Sequence, residues 1–139
     1  MAEPQAFSPP VDCDASLRDV LAGFPDVQLA LVFGSVAQGH AAPDSDLDIA
    51  VAASHALSLE QKMSLVAALA ARTGRPIDLI DLNTVGQPLL GQIVRHGHRL
   101  LGSAAAHGRL IGRHLIEEAD FIPLRRRILQ ERRIAWIGK

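Results

Sequence analysis

The chain has 139 residues, of which 48% are hydrophobic and 21% are charged, a composition that predicts one folded domain and argues against a disordered chain. No apolar run approaches the ~20 residues that cross a bilayer, and the first residues lack the basic and apolar regions of a signal peptide. The single cysteine, Cys13, excludes an internal disulfide and a cysteine-based zinc site. We therefore expect a soluble cytoplasmic protein.

The formal net charge of −1 is unevenly distributed. Residues 1–108 hold six basic and 11 acidic residues, whereas residues 109–139 hold eight basic and four acidic ones. A basic tail on an acidic body is compatible with partner binding, although a solvated helix face explains the same pattern. We expect 104–139 to dock a partner protein. Nucleic-acid binding is not expected, because only Phe121 and Trp136 could stack on bases there.

Apolar periodicity predicts the elements of the first half of the chain. Residues 1–13, rich in proline and small residues, are expected to form a loose arm. Apolar residues at helical spacing predict a helix over 16–24, which Pro25 ends. Compact apolar runs predict strands over 27–33 and 47–52.

The second half begins with a helix that its capping residues predict. Ser58 and Gln61 have the spacing of a capping box, and Gly74 supplies the stop. Between them an apolar stripe is expected at Met63, Val66 and Leu69/Ala70. A strand over 77–82 follows.

Next we expect a helix that contains 89–94 and ends at Gly97, and then a short strand over 99–101. From residue 104 onward the chain is predicted to be helical, with Ile111 and Leu115 on one stripe and a kink or restart at Pro123. Strands that alternate with helices, without a repeat or long linker, predict a single α/β (α+β) domain over 1–139. Its sheet is expected to be small and mixed, with about four strands flanked by helices.

The strongest chemical signal lies between the first two strands. The first strand ends at Gly34-Ser35, and ten residues later Asp46 and Asp48 enter the second. Residues two apart on a strand point to the same face. Two carboxylates about 7 Å apart at Cα repel by roughly 2 kcal/mol at an effective dielectric near 20. A bound divalent metal would offset this repulsion, so the pair indicates a metal site.

Two familiar motifs do not fit this stretch. Gly34 to Gly39 match the frame of a P-loop, but His40 stands where its lysine is needed. Aspartates at alternate positions up to Asp48 resemble the start of an EF-hand, but Ile49 replaces its glycine and His55 its bidentate glutamate.

The spacing Gly-Ser, ten residues, Asp-x-Asp resembles the signature of the DNA polymerase β-type nucleotidyltransferase superfamily. With the segment 77–82, it more closely resembles the minimal nucleotidyltransferase (MNT) antitoxins of HEPN/MNT toxin–antitoxin modules, over roughly residues 16–103. The resemblance implies a polymerase β-like fold and the antitoxin of a type VII-like module. Such an antitoxin forms a hetero-oligomer with its HEPN ribonuclease toxin. It neutralises the toxin by Mg²⁺-dependent transfer of AMP from ATP to a hydroxyl, expected to be that of a tyrosine.

Each candidate site residue has a role in that chemistry. Gly34 permits close approach of a phosphate, and Ser35 can offer its hydroxyl and N–H to the phosphates of ATP. Asp46 and Asp48 would hold two Mg²⁺ ions and orient ATP for in-line attack.

A third carboxylate would complete the metal site and activate the attacking hydroxyl. Asp78 and Asp81 are both candidates and lie on opposite faces of their strand. Strand parity and the family pattern favour Asp78, and Asp81 fits a turn or capping residue.

Two alternatives remain. One is a small-molecule nucleotidyltransferase similar to the aminoglycoside-modifying enzymes, although the 36 residues after position 103 leave little room for a substrate domain. The other is an antitoxin that acts by binding alone. The joint presence of the four residues Ser35, Asp46, Asp48 and Asp78 favours catalysis.

Overall fold

The computed structural model describes residues 9–34 and 45–137, and within them the side chains of 14–34, 45–120 and 127–130. Four helices and four strands lie in these ranges. In chain order they are α1 (Pro9–Ala22), β1 (Val27–Phe33), β2 (Leu47–Ala53), α2 (Leu59–Thr73), β3 (Ile77–Asp81), α3 (Leu89–His96), β4 (His98–Leu101) and α4 (Ala104–Ile137).

The four strands form one mixed sheet in the order β3-β2-β1-β4. β1 is antiparallel to both β2 and β4, whereas β2 and β3 are parallel. The predicted fold class is therefore confirmed, and all four predicted strands are present within one residue of their expected bounds.

Both faces of the sheet are covered by helices, and strand alternation decides which side chains meet them. Leu47, Ile49 and Val51 are fully buried in the core that also contains residues of α1 and α2. Ala50 belongs to the second core, with residues of α3 and α4. Asp48 has the same parity as Ala50, so it points toward the second face of the sheet, near the N-terminal end of β2.

The first helix is longer than expected. α1 starts at Pro9, so the prediction of a loose arm over 1–13 is wrong for 9–13, and residues 1–8 lie outside the described part of the chain. Proline is compatible with a first helical turn, where the N–H groups have no partner within the helix. Leu17 and Leu21 on the predicted stripe are buried against the sheet.

The capping box predicted for α2 is confirmed. The Ser58 side chain accepts from the Gln61 N–H, the Gln61 side chain accepts from the Ser58 N–H, and Gly74 ends the helix in the left-handed conformation at φ 70°. The predicted stripe is right at Leu69, which is buried, but wrong at Met63, which is 62% exposed. Leu65 is the other buried residue of this helix, because it faces α1 and the sheet.

The last helix also differs from its predicted stripe. α4 is one helix through Pro123, so no restart occurs there. Leu115 is exposed, and Leu110 and His114 are buried instead. The buried imidazole is stabilised by Gln87 and Glu118, each with a polar atom 3.0 Å from a ring nitrogen. Within the described ranges, no helix is long and apolar enough to cross a membrane.

Candidate active site

The end of β1 brings a glycine against a carboxylate. Gly34 has a φ of +76°, in the left-handed region that glycine adopts without strain. Phe33, the residue before it, pairs with Asp48 across the β1–β2 ladder. A Cβ atom at position 34 would overlap Asp48 Oδ2 and lie 3.0 Å from Asp48 Cγ. Glycine is therefore required here both by the backbone and by the carboxylate packed against it.

The two aspartates of the Asp-x-Asp motif lie where β2 begins. Asp46 precedes the strand and is exposed, whereas Asp48 is its second residue and is half-buried. Burial is the main cause that raises the pKa of Asp48, and the negative charge of Asp46 is the smallest contribution. The structure thus brings these two predicted site residues together.

The sheet register separates the two candidates for the third carboxylate. Asp78 pairs with Asp48 across the parallel β2–β3 ladder, and the two side chains share a hydrogen bond. Asp81 is buried away from this pair, and its carboxylate accepts two backbone hydrogen bonds. Its Oδ2 accepts from Leu57 N at 2.8 Å, and its Oδ1 accepts from Asn83 N at 2.9 Å. Asp78 therefore lies beside the Asp-x-Asp motif, and its role as the third carboxylate stays a prediction. Asp81 makes the capping contacts that the sequence suggested.

The electrostatics of this cluster are dominated by Asp48. Its pKa is raised from 3.8 to about 6, mainly because burial disfavours the charged carboxylate. The hydrogen bond to Asp78 and the negative charges of Asp78 and Asp46 raise the pKa further. Protonation of Asp48 near pH 6 therefore relieves part of the repulsion within the cluster, an effect that a bound cation could have instead.

The carboxylates fit a hard divalent cation in their chemistry, although they do not form a complete cage. Among the described side chains, those of 14–34, 45–120 and 127–130, no three histidine, cysteine, aspartate or glutamate residues have the spacing of a metal site. Mg²⁺ is usually bound by one or two carboxylates together with waters and substrate phosphates. An adjacent pair such as Asp48 and Asp78 is sufficient for that mode of binding.

Two further points concern residues around the cluster. Ser35, the predicted phosphate ligand, lies outside the described residues. Arg75 was not predicted from the sequence, yet its Nη1 donates to the Ser45 carbonyl at 3.1 Å, next to Asp46. A single arginine in a helix-to-strand loop has no motif, and the contact spans 30 positions, so no local signal could have revealed it.

Comparisons with known proteins agree with this geometry. Residues 15–105 match the family described as polymerase beta, nucleotidyltransferase. Protein adenylyltransferase MntA of Shewanella oneidensis is 37% identical over 87 residues, which are 63% of this chain and 60% of that protein. The match thus spans about 60% of this curated relative's length.

Solved structures extend the likeness to more of the fold. A chain in the crystal structure of a toxin–antitoxin with AMP-PNP is 27% identical, with a TM-score of 0.76, over 85% of this chain and 96% of that one. A chain from the complex of a tri-AMPylated S. oneidensis HEPN toxin with an MNT antitoxin is 24% identical, with a TM-score of 0.73, over 88% and 97%. The second likeness concerns the fold alone.

Proposed function

Because the chain belongs to the polymerase β nucleotidyltransferase family, we propose that it is a protein adenylyltransferase antitoxin, which transfers AMP from ATP to a hydroxyl of a HEPN toxin. The observation that carries the proposal is the pairing of Asp48 with Asp78, beside Asp46 and against Gly34. The similarity to an adenylyltransferase and to a toxin–antitoxin chain solved with AMP-PNP supports it. The proposal includes the cytoplasmic location expected from the sequence.

The proposed reaction is an in-line displacement at the α-phosphorus of ATP. The acceptor hydroxyl oxygen forms a bond to the α-phosphorus, and the bond from that phosphorus to the oxygen bridging to the β-phosphate breaks. Pyrophosphate leaves, and AMP stays on the acceptor. The proton of the hydroxyl passes to a carboxylate, for which Asp78 is our candidate because it lies exposed on the edge strand beside Asp48.

The carboxylates would also hold the metal. Asp46 and Asp48, with Asp78, would hold the Mg²⁺ ions, and the charge of the metal would stabilise the α-phosphate and the leaving pyrophosphate. Gly34 lets the triphosphate approach the backbone at the end of β1, and Ser35 is proposed to donate to it. The rise in the pKa of Asp48 implies that metal and proton compete for this carboxylate.

The acceptor is proposed to be a tyrosine of the toxin. This chain contains no tyrosine, so any AMP–tyrosine adduct must form on another protein. We propose that the tail, residues 104–139, docks that partner. On the described part of its outer surface, Ile116 is 65% exposed and Leu129 is 55% exposed, and Arg127 adds a positive charge.

The test uses the purified chain, its HEPN partner, Mg²⁺ and ATP labelled at either the α- or the γ-phosphate. We expect the α-label on the partner and the γ-label in pyrophosphate. Partner that is bound but unlabelled would favour an antitoxin that acts by binding alone. Label found on an aminoglycoside but not on the partner would favour a small-molecule enzyme.

A further inference from the structure

Asp46 is held by its backbone. The carbonyl of Ser45 accepts from Arg75 Nη1 at 3.1 Å, which fixes the peptide unit before the Asp46 Cα. The N–H of Leu47 donates to the carbonyl of Pro76 at 2.8 Å, which fixes the peptide unit after it. Both peptide units that flank Asp46 are therefore anchored to 75–76.

These anchors matter because core packing does not hold Asp46. Its side chain is exposed, and it precedes the first residue of β2. An exposed side chain gains no orientation from core packing, so the direction in which its carboxylate leaves the chain depends on the backbone dihedrals at position 46. The two hydrogen bonds from 75–76 restrict those dihedrals.

Arg75 is itself well placed to act as an anchor. Gly74 ends α2 in the left-handed conformation and turns the chain back toward β3. Thr73 Oγ1 accepts from the Arg75 N–H at 3.3 Å and donates to the Leu69 carbonyl at 2.8 Å. The Arg75 side chain is half-buried, so its guanidinium reaches Ser45 from a backbone that is held in place.

We propose that Arg75 is a positioning residue for Asp46, orienting its carboxylate toward Asp48 and the substrate. The proposal rests on the proposed adenylyl transfer for its functional consequence. A displacement of about 1 Å at a reacting group can lower a rate by about 10²-fold. The loss of Arg75 should therefore lower kcat and leave the KM for ATP less affected, since the phosphate-binding turn at Gly34 belongs to another part of the site.

The experiment compares Arg75→Ala with Arg72→Ala as a matched control. Arg72 lies three residues earlier and forms a surface ion pair with Asp19, so its removal changes the net charge equally without touching the site. The Leu47 amide donates to the Pro76 carbonyl on the far side of Asp46, so its hydrogen exchange reports whether the backbone around Asp46 loosens when the Arg75–Ser45 bond is removed, with amides of the central strand β1 as reference. We expect Leu47 to exchange about tenfold faster in Arg75→Ala and to stay close to the parent in Arg72→Ala.

The kinetic measurement uses the same variants with ATP, Mg²⁺ and the partner. In Arg75→Ala we expect kcat to fall by about tenfold or more, with KM for ATP within about threefold of the parent. If kcat falls while Leu47 exchange is unchanged, Arg75 acts otherwise and the proposal is wrong. Faster exchange with an unchanged kcat also contradicts it.

Two additions keep the proposal testable on its own. If the parent transfers no AMP, the proposed function fails, and Mn²⁺ binding in the presence of AMP-PNP replaces kcat. We then expect about tenfold weaker Mn²⁺ binding in Arg75→Ala, and equal binding would contradict the positioning role.

If Arg75→Ala does not fold, Arg75→Lys, which keeps the charge but loses the planar fork of the guanidinium, should change kcat and the Leu47 exchange rate by about threefold. No change in them would overturn the proposal.

Discussion

Replacement of Asp48 by asparagine should stabilise the protein in a pH-dependent way. The pKa of Asp48 is about 6 in the folded chain, against 3.8 for an ordinary aspartate. Between these values the folded state binds more protons than the unfolded state, so stability falls as the pH rises from 3.8 to about 6. Asparagine carries no charge, and its amide can still donate to Asp78. The free energy of unfolding of the Asp48→Asn variant should therefore not decrease over this pH range for this reason.

The difference between 3.8 and about 6 sets an upper limit of about 3 kcal/mol on the effect. Asp48 is only half-buried, so solvent screening reduces the expected gain to ~1 kcal/mol.

Urea unfolding at about pH 4 and about pH 7, without Mg²⁺, measures the gain. Asp120→Asn, which makes the same change at an exposed position of α4, shows the effect of losing one surface carboxylate. If Asp48→Asn gains no more than this control between the two pH values, the account of the cluster's electrostatics is refuted.

Three further predictions concern neighbouring residues. Gly34→Ala, whose Cβ overlaps Asp48 Oδ2, should lower the transfer rate by about 10²-fold; a near-parental rate would mean that Asp48 can move freely. Asp78→Asn should lose transfer with little effect on stability. Asp81→Asn, which disturbs a buried acceptor of two N–H bonds, should lower the free energy of unfolding in urea by about 1–3 kcal/mol. If instead Asp81→Asn lost transfer and Asp78→Asn lost stability, the roles of the two aspartates would be exchanged. Ser58→Ala breaks the capping box and should destabilise the protein by ~1 kcal/mol, so an unchanged unfolding midpoint would show that α2 does not need its cap.

The features predicted correctly from the sequence depend on short-range periodicity. Alternation on the second strand places Leu47 and Ile49 in the core, which leaves Asp48 on the other face. The same parity on the third strand places Asp78 beside Asp48, and its role as the third carboxylate stays a prediction. Because a strand has a period of two, a few residues are sufficient to assign these faces.

The features that were missed depend on contacts between distant elements. Met63 has helical spacing with other apolar residues, but packing against α1 turned Leu65 inward instead. His114 is buried because Gln87 and Glu118 satisfy its ring nitrogens. A polar residue at a core position interrupts the apolar pattern from which the buried face of a helix is predicted. The Arg75 contact with Ser45 likewise spans 30 positions.

The most direct test of the central claim is the intact mass of the HEPN partner after incubation with this chain, ATP and Mg²⁺. We predict that the partner gains the mass of one or more AMP units on tyrosine with the parent chain. With Asp48→Asn the partner should keep its original mass, because the Asp46–Asp48–Asp78 cluster has lost its central carboxylate. An unmodified partner with the parent chain, or equal modification by Asp48→Asn, would contradict the claim that this cluster transfers AMP.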